Sequence, residues 1–200
     1  MRIPGLQIVH VIEFRVDAAP VRDVWKETGR TQLQNGVSIV PFTPSYAAAV
    51  GEARSEAEMN SFSRMAAHGE SGWLALDASG HVVGHTWRID SMGSTVIRGP
   101  IPVEPGWAYL HYGWVDPTWR GQGILPALMC NSMLQALTID GWSVRGFSAD
   151  IVPTNVASQR SVAKLGFVPV RRITSLRIYQ RWFVLHSGPA PEDVRRRTGA

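Results

Sequence analysis

Apolar positions along the chain fall into short runs, and the spacing of those runs predicts the elements. From Leu6 to Val16 (LQIVHVIEFRV) they are dense and β-branched, as in a strand. Asp17 is placed to cap a short helix through about Gly29. Val37 to Phe42 forms a second apolar run, and alanine-rich sequence from Tyr46 to His68 predicts a helix that Gly69 would end. Two strand-like runs follow, Gly72 to Leu76 and His81 to Ile89, joined by the hairpin chemistry of Asp77-Ala78-Ser79-Gly80. Gly99 to Gly106 is too rich in Pro and Gly for a regular element. It leads into a strand, Trp107 to Val115, and then a helix from about Gly123 to Ile139. A strand from Val144 to Ile151, a helix from about Thr154 to Leu165 stopped by Gly166, and a strand-like stretch from Val168 to Leu185 complete the series. Strands alternating with helices argue for one α/β or α+β domain over residues 1–188, with a flexible C-terminal tail at 189–200.

Composition narrows the class without naming a function. Two hundred residues, 44% apolar and 18% charged, suit one globular domain with a sizeable core. The net charge of +4 is modest, and no basic stripe interleaves with aromatics, so nucleic acid is not an expected partner. One cysteine, Cys130, excludes an intramolecular disulfide and a cysteine-rich zinc site, and no metal is expected. Arg2, His10, Glu13 and Arg15 interrupt the opening apolar stretch, and nowhere do 18 apolar residues run together; the expectation is a cytoplasmic protein with no membrane partner.

The most informative segment runs from Val115 to Leu128, where a strand ends and a glycine-containing turn opens directly into a helix. Gly121 and Gly123 let successive backbone N–H groups converge without Cβ obstruction, and the helix start adds unpaired donors and partial positive charge. Arg120 adds a cation, and Pro126 falls in the first turn, where no intrahelical bond is lost. The whole suits a pyrophosphate. It is neither a Walker loop nor a dinucleotide fingerprint, and on this segment alone a plain tight turn is an equal alternative.

A second segment, Asn155 to Phe167 (NVASQRSVAKLGF), follows the first at a fixed interval. Together with Arg120-Gly121-Gln122-Gly123-Ile124 it resembles the GNAT N-acetyltransferase superfamily over roughly Trp107 to Phe167. The resemblance implies a GNAT-like α/β fold with a central mixed, strongly twisted sheet flanked by helices, whose strands Trp107–Val115 and Val144–Ile151 splay into a wedge for acetyl-CoA. The backbone at Val115 would meet the pantetheine and supply a donor to the thioester carbonyl. The amides of Gln122, Gly123, Ile124 and Leu125 would meet the pyrophosphate beside Arg120 and Gly121. Asn155 would bond the pantetheine arm with Ser158 near it, and Arg160 would be either a phosphate contact or a solvated helix residue. Leu125 stands where the family usually has Gly or Ala, and Val162 where many members carry the tyrosine that reprotonates the CoA thiolate. Ser161, a water or another residue would then take that role.

Acyl transfer to an amine needs a neutral amine, a polarised carbonyl and a route for the proton. Strand alternation puts Tyr109, His111, Gly113 and Val115 on one face. In some family members bases stand where His111 and Tyr109 stand here, and histidine is the side chain whose ordinary value lies nearest neutrality. The alternative for His111 is a packed strand histidine. Asp150 and Glu104 are weaker candidates, His85 reads as structural, and Trp87 and Trp114 would either face the acceptor or pack in the core. The expected activity is transfer of acetyl to a primary amine of a small molecule or amino sugar. Protein or peptide N-acetylation and a non-catalytic CoA-binding module are the alternatives, and a homodimer is left open.

Overall fold

The computed structural model describes residues 6–19, 36–96, 99–139, 141–179 and 181–199. The helix expected after Asp17 lies outside the described residues. Eight strands belong to one open sheet in the order β2-β3-β4-β5-β6-β1-β7-β8, flanked, among the described residues, by five α-helices. They are β1 (Leu6–Asp17), β2 (Ser38–Pro41), β3 (Ser71–Leu76), β4 (Val82–Asp90), β5 (Trp107–Val115), β6 (Gly146–Ile151), β7 (Val168–Ile178) and β8 (Arg181–Pro189). The helices are α1 (Ala47–Ala53), α2 (Glu56–Ala67), α3 (Ile124–Ala136), α4 (Val156–Ala163) and α5 (Glu192–Thr198). Hairpin-type neighbours pair antiparallel, whereas β5 reaches β6 through α3, the crossover that parallel strands require, so the sheet is mixed.

By backbone packing the chain divides into two compact units, each built from separated stretches. The first comprises Met1–Ala18, Ser91–Tyr109 and Val144–Ala200; the second comprises Ala19–Asp90 and Leu110–Ser143.

In the second unit, alternation along β3 and β4 feeds two cores. Ala75 and Val83 join Val37, Ile39, Val115, Ile124, Ala127 and Leu128 under α3. Leu74, Leu76, Val82 and Trp87 pack with Val50 and Phe62 beneath α1 and α2. Both faces of β4 are therefore buried, its polar residues His85, Thr86 and Arg88 included. Gly84 lies where β4 meets both β5 and α3: a Cβ there would lie 3.1 Å from the Trp114 carbonyl and 3.2 Å from both Ile124 and Leu128. Helix α3 buries residues on nearly every side, including Cys130, Asn131 and Ser132, so its apolar surface is wider than the single face its periodicity suggests. Arg88, fully buried, ties β4 to this helix: it donates twice to Asp90, at 2.6 and 2.9 Å, to Gln135 at 2.6 Å and to the Ser132 carbonyl.

In the first unit β1 lies between β6 and β7, antiparallel to both. Glu13, 0% exposed, accepts from Arg15 at 2.7 Å and from Arg171, and Arg15 goes on to Glu104 at 2.7 Å while lying 4.6 Å over the Trp107 ring. The Pro-rich stretch is a loop, as expected, with a bridge between Val96 and Val103. Gly146 is crowded from two sides: a Cβ there would lie 2.6 Å from the Trp107 ring and 2.7 Å from the Val16 carbonyl.

Three expectations are corrected. The helix expected from Tyr46 to His68 breaks at Arg54 and Ser55, because Ser55 turns extended and its side chain caps α2 by accepting the Glu58 N–H. The stretch from Val168 to Leu185 is two strands that reverse at Tyr179, whose φ is 53°. The segment expected as a flexible tail instead carries α5, with Ala190 and Val194 buried.

Candidate active site

The turn after β5 keeps the form that its glycines require. Asp116 caps a short 3₁₀ turn, Pro117–Trp119, by accepting the Thr118 N–H at 2.8 Å and its hydroxyl at 2.5 Å. The Thr118 bonds hold the Asp116 carboxyl below the usual carboxylate range. Gly121 and Gly123 then take φ values of 80° and 77°, open to solvent, and Gly123 becomes the N-cap of α3 without a side-chain cap. Among the described residues no backbone acceptor takes the amides of Gly123, Ile124 or Leu125. An exposed helix start with unclaimed N–H groups fits a pyrophosphate in both charge and donor geometry. The Leu125 side chain lies over Gly113, 3.0 Å from where a Cβ would stand, so it braces the turn against β5. Arg120 folds back, its Nε–H donating to the Val115 carbonyl at 3.1 Å. Val115 itself is buried, and the next amide, that of Asp116, donates to Val83 at 2.9 Å.

Upstream on β5, Tyr112 adopts φ 54°. A left-handed residue within a strand breaks the pleat, so alternation does not carry Gly113 and Val115 onto the face of Tyr109 and His111 as expected. The Tyr112 carbonyl turns to His85 Nδ1 at 2.9 Å, and its hydroxyl donates to Glu58 at 2.7 Å. Burial, with that bond to Glu58, pushes the Tyr112 phenol up to about 12. Glu58 also accepts from Arg54 at 3.2 Å, and the Arg54 guanidinium lies 3.9 Å over the Trp114 ring. His111 Nε2 meets Glu70 at 3.0 Å.

His85 is buried among Phe62, Tyr112 and Trp114 at centroid distances of 4.7, 5.5 and 5.5 Å. Burial pushes its imidazole down to about 3, which favours the neutral ring. Trp87 is fully buried in the core; Trp114 is half-buried beneath Arg54.

The remaining candidates lie in the first unit. Tyr109 is buried and donates to Asp150, and Gly99 of the loop packs so closely that a Cβ would stand 3.0 Å from the Tyr109 hydroxyl. Glu104 is engaged by Arg15, whose bond holds its carboxyl below the usual range. Asn155 caps α4, its side chain accepting the Ser158 N–H at 3.1 Å. Ser161 donates to the Ala157 carbonyl of its own helix at 3.0 Å, and Arg160 is exposed.

Three residues around β5 escaped the sequence: Arg54, Glu58 and Glu70. Their partners on β5 lie 41 to 60 positions away, beyond any periodicity. The one local signal is Gly69, which stops a helix immediately before an acidic residue and a strand.

No protein-family model matches the sequence, and no curated protein matches it. Solved structures do. A tandem GNAT protein from the clavulanic acid biosynthesis pathway is similar with a TM-score of 0.60 at 18% identity, over 92% of this chain and 55% of its own. A protein of the GNAT family from Novosphingobium aromaticivorans is similar at 0.55 and 12% identity, over 96% of this chain and 70% of its own. A Drosophila protein matches at 0.56 and 13%, over 88% of this chain and 52% of its own. The fold is therefore GNAT-like. The chain spans about half the length of the first of these structures.

Proposed function

We propose that this chain is an acyltransferase that moves an acetyl group from acetyl-CoA to a primary amine of a small molecule or amino sugar. The observation that carries the proposal is the solvent-exposed turn from Arg120 to Gly123, with two left-handed glycines and, among the described residues, no backbone acceptor for the amides at the start of α3, on a GNAT-like fold. Bound there, CoA would bring a thioester whose carbonyl is already activated. The work left to the chain is to hold the pyrophosphate, place the amine and take its proton. Gly123, Ile124 and Leu125 supply N–H donors, with the helix dipole behind them. His111, half-buried on β5, is the proposed base. As the amine nitrogen bonds the carbonyl carbon, the carbon–sulfur bond breaks, the amine proton passes to the imidazole, and the thiolate leaves.

Titration calorimetry with CoA tests the first step. Wild type is expected to bind, and Gly123→Val to bind about 5- to 30-fold more weakly, because a β-branched residue resists φ near 77° by ~1–2 kcal/mol. Free-thiol release from acetyl-CoA across a panel of amines tests the second. An absence of heat in wild type would sink the proposal; binding without turnover on any amine would favour a CoA-binding module.

A further inference from the structure

We infer that Glu70 is the positioning residue for His111, holding the imidazole so that Nδ1 is the nitrogen that takes the acceptor's proton. A carboxylate accepts hydrogen bonds and donates none, so a Glu70 oxygen 3.0 Å from Nε2 requires the hydrogen on Nε2. In the neutral ring the lone pair then lies on Nδ1. The pair is shielded: the Glu70 side chain is 7% exposed and that of His111 17%, which strengthens the bond relative to water.

Both partners are fixed by their backbones. On the Glu70 side, α2 ends at a left-handed Gly69; the Gly69 amide donates to Ala66 at 2.9 Å and the Glu70 amide to Met65 at 3.0 Å, the paired bonds of a helix stop. One residue later β3 begins, with Ser71 in register opposite Arg88. Glu70 is therefore held between a closed helix end and a paired strand. On the other side, the His111 carbonyl accepts from Thr86 at 3.4 Å, and the next residue, Tyr112, is anchored twice, through its carbonyl to His85 and its hydroxyl to Glu58. A bond between two such anchored side chains sets ring orientation as well as tautomer, which is what a proton acceptor needs before its substrate arrives. When Nδ1 takes the proton, the positive ring stays against the carboxylate it already touches.

The inference rests on the acyl-transfer reading for its kinetic arm alone. In that arm Glu70→Gln keeps the side-chain size, and kcat is expected to fall ~10- to 100-fold with KM for acetyl-CoA unchanged. His111→Gln should fall at least as far, and the double variant no further, because both changes remove one function. Additive losses, or a rise in KM with kcat intact, would overturn the assignment. The second arm needs no turnover: nitrogen-15 NMR of labelled imidazoles at neutral pH, assigned with His111→Gln, is expected to show His111 protonated on Nε2 in wild type. In Glu70→Gln a mixture of tautomers is expected. Finding the hydrogen on Nδ1 in wild type, or no change in Glu70→Gln, would overturn the inference even if catalysis is robust. If wild type transfers no acyl group, the NMR result still decides Glu70, and the two failures remain distinct.

Discussion

At the scale of single residues, buried polar groups set how the second unit responds to its environment. His85 is neutral in the fold because burial pushes its imidazole from 6.5 down to about 3. Above pH 6.5 neither folded nor unfolded chain protonates it. Below 6.5 the unfolded chain gains a proton that the folded chain refuses until pH 3, so stability should fall by about 1.4 kcal/mol per pH unit across that window. Urea unfolding of wild type and His85→Phe between pH 7 and pH 4 should show a shallower decline in the variant. Arg88 behaves differently. Its partners are the half-buried Asp90, the buried Ser132 and the exposed Gln135, and Arg88→Met would leave the Asp90 carboxylate without its paired donors at a cost of about 1–3 kcal/mol, read as a lowered urea midpoint. Neither environment was legible beforehand. A lone histidine or arginine inside an apolar run carries no mark of the aromatic rings or helix carbonyls that tertiary packing brings to it.

At the scale of elements, β5 shows what a pattern can and cannot reveal. Its ends, Trp107 and Val115, follow from the flanking proline-rich loop and the Asp-Pro turn, and so does the glycine turn into α3. Its break at Tyr112 does not, since left-handed backbone is ordinarily signalled by glycine or asparagine and a tyrosine stands there instead. Tyr112→Gly and Tyr112→Val both lose the hydroxyl bond to Glu58, but only valine resists the positive φ. The valine variant should therefore be less stable than the glycine variant by about 1–2 kcal/mol in denaturant unfolding, the cost of left-handed backbone at a branched residue. The α2 boundary has the same lesson in reverse. Ser55 announced a cap by its chemistry, yet the helical composition around it masked the break.

At the scale of the whole molecule, the GNAT-like architecture was legible through two ordered motifs, whereas the charge network of the first unit was not. Glu13, Arg15, Glu104 and Arg171 come from three stretches, and only the sheet and its neighbouring loop bring them together. The Arg15 bond holds the Glu104 carboxyl below its ordinary value of 4.5, so its contribution is present above pH 4.5 and disappears as pH falls through the depressed value. Because the Glu104 side chain is 43% exposed, screening limits that contribution to about 1 kcal/mol. Glu104→Gln should be less stable than wild type by up to that amount at pH 7, and the difference should shrink as pH falls from 4.5 through the depressed value, in paired chemical denaturation curves.

The crowding at Gly146 has a geometric corollary for the first unit. Between the indole of Trp107 and the main chain at Val16 there is clearance for a hydrogen and nothing more. A methyl group at that spot could be admitted only by swinging the indole aside, which would pull it from under the Arg15 guanidinium, or by prising β6 off β1. This tight seam between β6 and β1 thus bears on the ionic network of the first unit, and the smallest enlargement of a side chain there would be felt by charges several residues away.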